Sequence, residues 1–201
     1  MKNFSILIIF CLFLPFSACA NNEGCKGVGT TQTNETEGSM LSKNKKILIV
    51  YYSKTESTAT IAKYIQEATG GTLLRINPVT PYPEDYRATT EQAKKEINSG
   101  YKPAIKAIDV NPKDYDVIFI GSPCWWATIA PPIATFLSEN DLSNKTIIPF
   151  VTHLGSGMAN NAAAIAKLAP KATMLDGKAF RGNTVNSAKE EVMQWVKGLK
   201  L

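Results

Sequence analysis

The sequence predicts an α/β fold built on a parallel sheet, and three observations carry that reading. Residues 46–52 (KILIVYY), 116–121 (DVIFIG) and 146–151 (TIIPFV) are short, largely apolar runs rich in β-branched and aromatic side chains, as expected of strands buried on both faces. The stretches between these runs hold segments of helical pattern, so strand and helix alternate. Each run also stops abruptly in Ser, Thr, Gly or Pro. With 201 residues, of which 44% are hydrophobic and 9% aromatic, the chain can bury one core and is expected to form one domain.

The elements follow in order. Residues 1–18 have a charged start (Met1-Lys2-Asn3) and an apolar run over 4–16, the pattern of a secretory signal and too short for an ordinary membrane span. Ala18-Cys19-Ala20 fits a signal-peptidase site, whereas Phe16-Ser17-Ala18-Cys19 resembles a bacterial lipobox that would lipidate Cys19. The expectation is an exported lipoprotein held to a membrane of the bacterial envelope, with a soluble periplasmic or secreted form as the alternative. Residues 19–45 are polar, rich in Gly, Thr, Asn and Glu, and read as a flexible tether of about 25–30 Å reach. The domain is then 46–201.

Within it, the first strand gives way at Ser53 to a helix over 57–69 that ends at Gly70-Gly71. A second strand is expected over 72–76, a Pro-punctuated loop over 77–83 and a surface helix over 84–98. Residues 101–112 read as irregular or a short extra strand. The third strand, 116–121, is expected to break at Ser122-Pro123, and the fourth over 146–151 to give way to a turn. A helix over 159–168, a fifth strand within 172–180 and a helix over 187–199 close the chain, the last burying Val192, Trp195 and Val196.

Charge and cysteine usage exclude some classes. The formal net charge is +5, and loss of Lys2 with the signal leaves +4; no basic stripe interleaved with aromatics marks a nucleic-acid surface. Of four cysteines, Cys11 lies in the signal, Cys19 is the lipidation candidate, Cys25 lies in the tether and Cys124 in the domain. A disulfide between Cys25 and Cys124 is permitted in an exported compartment. No cysteine or histidine spacing points to a metal.

Three loops carry the chemistry. Ser53, Lys54, Thr55, Glu56, Ser57 and Thr58 put four hydroxyls where a strand enters a helix, and the free amides and dipole of such a helix start suit a phosphate. Ser122, Pro123, Cys124, Trp125 and Trp126 place adjacent tryptophans at the carboxyl end of a strand, where ligands of open α/β sheets bind; one would pack inward and the other could stack on a flat ring. Thr152, His153, Leu154, Gly155, Ser156 and Gly157 form a turn whose glycines let backbone approach a ligand. His153, the one histidine, either packs at the rim or acts as a proton donor near neutral pH.

The S-x-T-x-S-T spacing, the G-x-P-x-W-W after the third strand and the glycine turn after the fourth resemble the flavodoxins. That resemblance implies a doubly wound five-stranded parallel sheet of order 2-1-3-4-5 and non-covalent flavin mononucleotide (FMN). By the same resemblance Ser53, Thr55, Ser57 and Thr58 would hold the phosphate, Trp125 or Trp126 would stack, and residues 152–157 would bind the ring edge. The implied function is electron transfer or a tethered flavin reductase, with the redox partner unspecified. Glu56 stands where many flavodoxins have glycine, with Lys54 as its expected counter-charge. Two other readings stay open: a flavin-free binding module on the same fold, and a thiol hydrolase pairing Cys124 with His153.

Overall fold

The computed structural model describes residues 45–199 and Leu201. The signal and tether expectations, the Cys19 lipidation site and any Cys25 to Cys124 pairing involve residues outside the described ones. Seven strands form one sheet: β1 (Ile47–Tyr51), β2 (Thr72–Arg75), β3 (Val117–Trp125), β4 (Thr128–Ile129), β5 (Thr146–His153), β6 (Thr173–Met174) and β7 (Lys178–Arg181). The helices are α1 (Ser57–Thr69), α2 (Tyr86–Ser99), α3 (Pro131–Glu139), α4 (Asn161–Leu168) and α5 (Lys189–Gly198).

The sheet runs β2-β1-β3-β5-β6, with β7 also pairing β5, all parallel, and β4 antiparallel on β3. Counted by main strands this is the expected 2-1-3-4-5 order, with the fifth place split between β6 and β7. Pleating sends alternate residues of β1 to opposite faces. Leu48 and Val50 join Ala93 of α2 and Ile133 and Phe136 of α3 in one cluster, while Ile49 and Tyr51 join Ile61 and Ile65 of α1 and Val192 and Val196 of α5 in the other. The fold is therefore doubly wound, as sequence alternation requires.

Local chemistry explains the ends. Gly70 and Gly100 close α1 and α2 in the left-handed region, at φ 69° and 68°, where a Cβ is costly. Asp85 caps α2 by accepting from the Ala88 amide at 2.7 Å. α3 opens on Pro131 and Pro132, which fit a first helical turn because its N–H groups have no helical partner.

Several expected boundaries shift by one or two residues, and two strands extend beyond theirs and build the site. β3 does not break at Ser122-Pro123 but continues to Trp125, and β4 folds back on it through Cys124 opposite Ile129 and Trp125 opposite Thr128. Proline is tolerated because the ladder to β5 ends at Pro123 opposite Thr152. β5 likewise reaches His153, so Thr152 and His153 belong to a strand end and only Leu154 onward is turn. Residues 101–111 are irregular apart from one bridge, Pro78 opposite Ile105, and Pro112–Asp114 form a short 3-10 turn. Trp195 is partly buried and meets Phe119 and Phe180 edge-on, at 5.9 and 5.8 Å between ring centroids.

Candidate functional site

At the carboxyl end of the sheet, β1, β3 and β5 deliver their loops to one groove of about 630 Å³, a volume typical of small-molecule sites. It is built from the hydroxyl loop outward. Glu56 precedes α1 at φ 62°, a left-handed conformation, and its own side chain does not cap the helix. Ser53 and Thr58 are buried: Ser53 Oγ accepts from the Ala59 amide at 3.2 Å, and the Thr58 and Thr152 hydroxyls meet at 2.7 Å. These two hydroxyls therefore brace the cradle from beneath and join it to β5. Thr55 and Ser57 line the groove, with their oxygens 3.4 Å apart. Ser57 Oγ donates to the Gly182 carbonyl at 3.3 Å.

Glu56 lies outside the groove lining, and its counter-charge is not Lys54. The Arg75 guanidinium grips both carboxylate oxygens, at 3.1 and 2.5 Å, and donates to the Ser53 carbonyl at 2.9 Å. That hydrogen bond holds the Glu56 carboxyl below the usual range against a smaller opposing effect of burial. Lys54 instead donates to the Tyr82 carbonyl, lies 3.8 Å from Glu84 and lines the groove. A cation thus stays beside the hydroxyls while the carboxylate is tied away from them.

The two tryptophans separate as expected of neighbours. Trp125 is wedged edge-on between Tyr52 and Tyr82, with centroids 5.5 and 5.0 Å away. Trp126 is 52% exposed, donates from Nε1 to the Thr90 carbonyl at 3.0 Å and carries the Lys94 ammonium 4.6 Å from its ring centroid. It sits at φ 49° and Ala127 at φ 63°, so the two-residue turn between β3 and β4 has positive φ at both central positions without a glycine. Strain of this kind persists where surrounding contacts over-determine it. Here the clamp on α2 does so.

Ser122 is buried and fastens this hairpin, accepting from the Ala130 amide at 2.8 Å. Pro123 and Cys124 line the groove with the tryptophans, and Thr152, His153, Leu154, Gly155 and Ser156 line its other side. Gly157 does not; its amide donates to His153 Nδ1 at 3.1 Å. The neutral imidazole therefore carries its proton on Nε2. Burial, helped by the Arg181 charge, pushes the His153 pKa down, so this neutral form dominates at pH 7.

Sequence reasoning missed a whole wall. Tyr86, Thr89, Thr90 and Ala93 of α2, together with Ala127, Gly182 and Asn183, also line the groove. Tyr86 carried one signal, an aromatic residue at the start of a polar segment, and in the structure it stands 75% exposed. Gly182 and Asn183 carried only the polarity of the segment after β7.

The family model described as Flavodoxin matches residues 46–199. The chain belongs to the flavodoxin family. Among solved structures, this flavodoxin is similar to a candidate flavoprotein from Bacteroides eggerthii, with 33% identity, coverage of 74% of this chain and 98% of that one, and a TM-score of 0.63. A candidate flavoprotein from Bacteroides uniformis gives 31% identity, 77% and 99% coverage and a TM-score of 0.69. A Lactobacillus acidophilus flavoprotein solved in complex with FMN gives 24% identity, 73% and 99% coverage and 0.59, a likeness of fold. No curated protein matches the chain.

In this flavodoxin domain the nucleophile and base of a thiol hydrolase are not assembled. Cys124 Sγ accepts from Asn161 Nδ2 at 3.2 Å and His153 Nδ1 is occupied by Gly157; among the described residues no hydrogen bond joins the two. The donor set suits a phosphorylated aromatic ligand better. A helix start that Glu56 does not cap, two groove-facing hydroxyls and a lysine lie at one end, and a half-exposed indole at the other.

Proposed function

We propose that the groove holds FMN and that the protein transfers electrons through it. The observation that carries this reading is the joining, in one cavity, of an α1 N-terminus that Glu56 leaves uncapped, flanked by Thr55, Ser57 and Lys54, with the clamped, half-exposed Trp126. Oriented amides and hydroxyls are the donors a phosphate needs, and a rigid indole is the partner a flat ring needs. FMN, when bound, supplies reversible transfer of electrons.

The chain's own residues would then divide the work. Thr55, Ser57 and Lys54 bind the phosphate, and the Arg75 grip on Glu56 removes a repulsive carboxylate. Trp126 is the stacking residue, because Trp125 is already committed to Tyr52 and Tyr82. His153 offers an N–H at Nε2 toward the ring edge. The signal-like residues 1–18 and the lipobox-like Cys19 support a place for this chemistry outside the cytoplasm, on the envelope.

The first test is flavin retention. The purified protein, mixed with FMN and filtered free of excess, is expected to keep the flavin's visible absorption, and Cys124→Ala is expected to keep it too. No retention at tens of micromolar FMN, about 6–7 kcal/mol of binding not reached, would overturn the cofactor reading. Trp126→Ala is expected to weaken binding by about tenfold, as loss of one aromatic contact costs about 0.5–1.5 kcal/mol beyond its area.

A further inference from the structure

The wall that follows β5 hangs on one hydrogen bond. Leu154, Gly155 and Ser156 line the groove and are exposed, Leu154 by 75%. Gly157 closes this turn at φ 62°, and its amide donates to His153 Nδ1 at 3.1 Å. Among the described residues, the backbone of 155–157 makes no other hydrogen bond. The wall also touches the hydroxyl end of the groove through Gly182, where a Cβ would stand 3.7 Å from Leu154 Cδ2 and 3.7 Å from Ser57 Oγ. Gly182 is the same residue whose carbonyl accepts from Ser57.

We infer that His153 is a proton-operated latch on the 154–157 wall, closed along the ligand while the imidazole is neutral and released when it takes a second proton. Release of FMN in this way rests on the groove holding FMN, as proposed; the latch itself does not.

The chemistry follows from the ring. In neutral imidazole Nδ1 carries a lone pair and accepts, whereas in imidazolium both nitrogens are donors. One proton taken from solvent at Nδ1 therefore sets donor against donor at Gly157, and no other reactant is needed. The Gly157 amide must then find a new acceptor, and a turn held by that bond alone moves out to water. Leu154 leaves Gly182 with it, so the change reaches the Ser57 anchor.

The surroundings favour release over capture. Arg181 stands opposite His153 on β7, and Lys178 on the same strand is paired with Glu191. Lys54, Tyr86 and Cys124 share the groove from the first loop, α2 and β3, and among the described residues no carboxylate lines it. The ionisable groups of α1 and α4, which pack on β5, lie beyond the first turn of each helix, at Lys63, Tyr64, Glu67 and Lys167. An imidazolium at 153 thus meets a guanidinium and no facing anion. Burial and the Arg181 charge both oppose its formation, which keeps the latch closed at pH 7 and opens it only on acidification.

The latch is read first without flavin. Nuclear magnetic resonance on the whole protein follows the His153 ring and the Gly157 amide in one pH titration. Protection of the Gly157 amide against hydrogen exchange is expected to fall about tenfold as His153 takes its proton, the loss of one hydrogen bond. It is expected to stay level in His153→Asn, whose side-chain oxygen accepts in place of Nδ1 and does not titrate. Gly157 protection that is unchanged across the His153 titration would overturn the latch, and this wild-type comparison decides the matter if His153→Asn does not fold. Release is then measured with riboflavin beside FMN, because a phosphate monoester itself titrates at about pH 6. Riboflavin is expected to bind about tenfold more weakly at pH 5 than at pH 7.5, and to lose this dependence in His153→Asn. Equal riboflavin affinity at the two pH values, or the same loss in His153→Asn, would overturn the gating of the ligand. Failure of both flavins to bind at pH 7.5 would overturn the FMN reading instead, and the latch would stand or fall on Gly157.

Discussion

Ala127 holds φ 63° with a methyl side chain, in the region where a Cβ costs about 1–2 kcal/mol. Glycine removes that cost, so Ala127→Gly is expected to stabilise the fold by about 1 kcal/mol, raising Tm by about 2–4 °C for a chain of this size. A fall in Tm by calorimetry would mean that the turn is not strained. The same substitution frees the Trp126 ledge, so tighter folding with weaker ligand binding is the expected combination. His153 gives the second residue-scale expectation. Its folded pKa lies below the ordinary value near 6.5, so the unfolded chain takes up the proton first as pH falls. Stability is whole above pH 6.5 and is lost as pH drops below it toward the depressed folded value. Denaturant titrations at pH 7.5 and 5.5 are expected to show this loss reduced in His153→Gln; equal loss in both proteins would assign it to other groups.

Among elements, β3 is the central one, paired with β1 and β5 along its length and with β4 beyond the sheet's edge of pairing. Gly121 in its middle faces the Phe150 ring so closely that a Cβ there would stand 2.1 Å from a ring carbon. No rotation of a fully buried phenylalanine clears that space, and overpacking of this kind costs about 1–3 kcal/mol. Gly121→Ala is expected to lower stability by about 3 kcal/mol in urea titration, and a change under about 0.5 kcal/mol would show that β3 and β5 can part. A reader of the sequence meets Gly121 as the end of DVIFIG and takes it for a strand stop. In the structure it is the residue that lets β5 press close while β3 goes on to Trp125.

Across the molecule, the groove is assembled from segments far apart in the chain, which form its two ends. The hydroxyl end comes from α1 and, through the Ser57 to Gly182 hydrogen bond, from the segment after β7; the aromatic end comes from the β3–β4 turn and α2. If both ends hold one ligand, removing its phosphate removes the charge-assisted contacts of the first end alone. Riboflavin is therefore expected to bind at least about tenfold more weakly than FMN, since hydrogen bonds to a charged group contribute about 1.5–3 kcal/mol. Equal affinities by calorimetric titration would show that the cradle is not used.

The architecture and the three loops were already legible in the order of the residues. Runs such as ILIV and VIFI are short, bounded by turn residues and rich in β-branched side chains, which favours strands buried on both faces under helices on either side of a sheet. The loops follow, because parallel strands must all present the same end. The role of each residue within those loops came instead from long-range packing. Nothing local distinguishes Thr55 from Thr58 or Trp125 from Trp126; Thr152 draws Thr58 inward, and Tyr52 and Tyr82 capture Trp125. Arg75, arriving from β2, claims the carboxylate that Lys54 was expected to face. The wall from α2 stayed hidden for the same reason. Its residues are ordinary on a polar helix, and only long-range packing turns Tyr86 and Thr90 toward a groove whose other side is some 35 to 65 residues away in the chain.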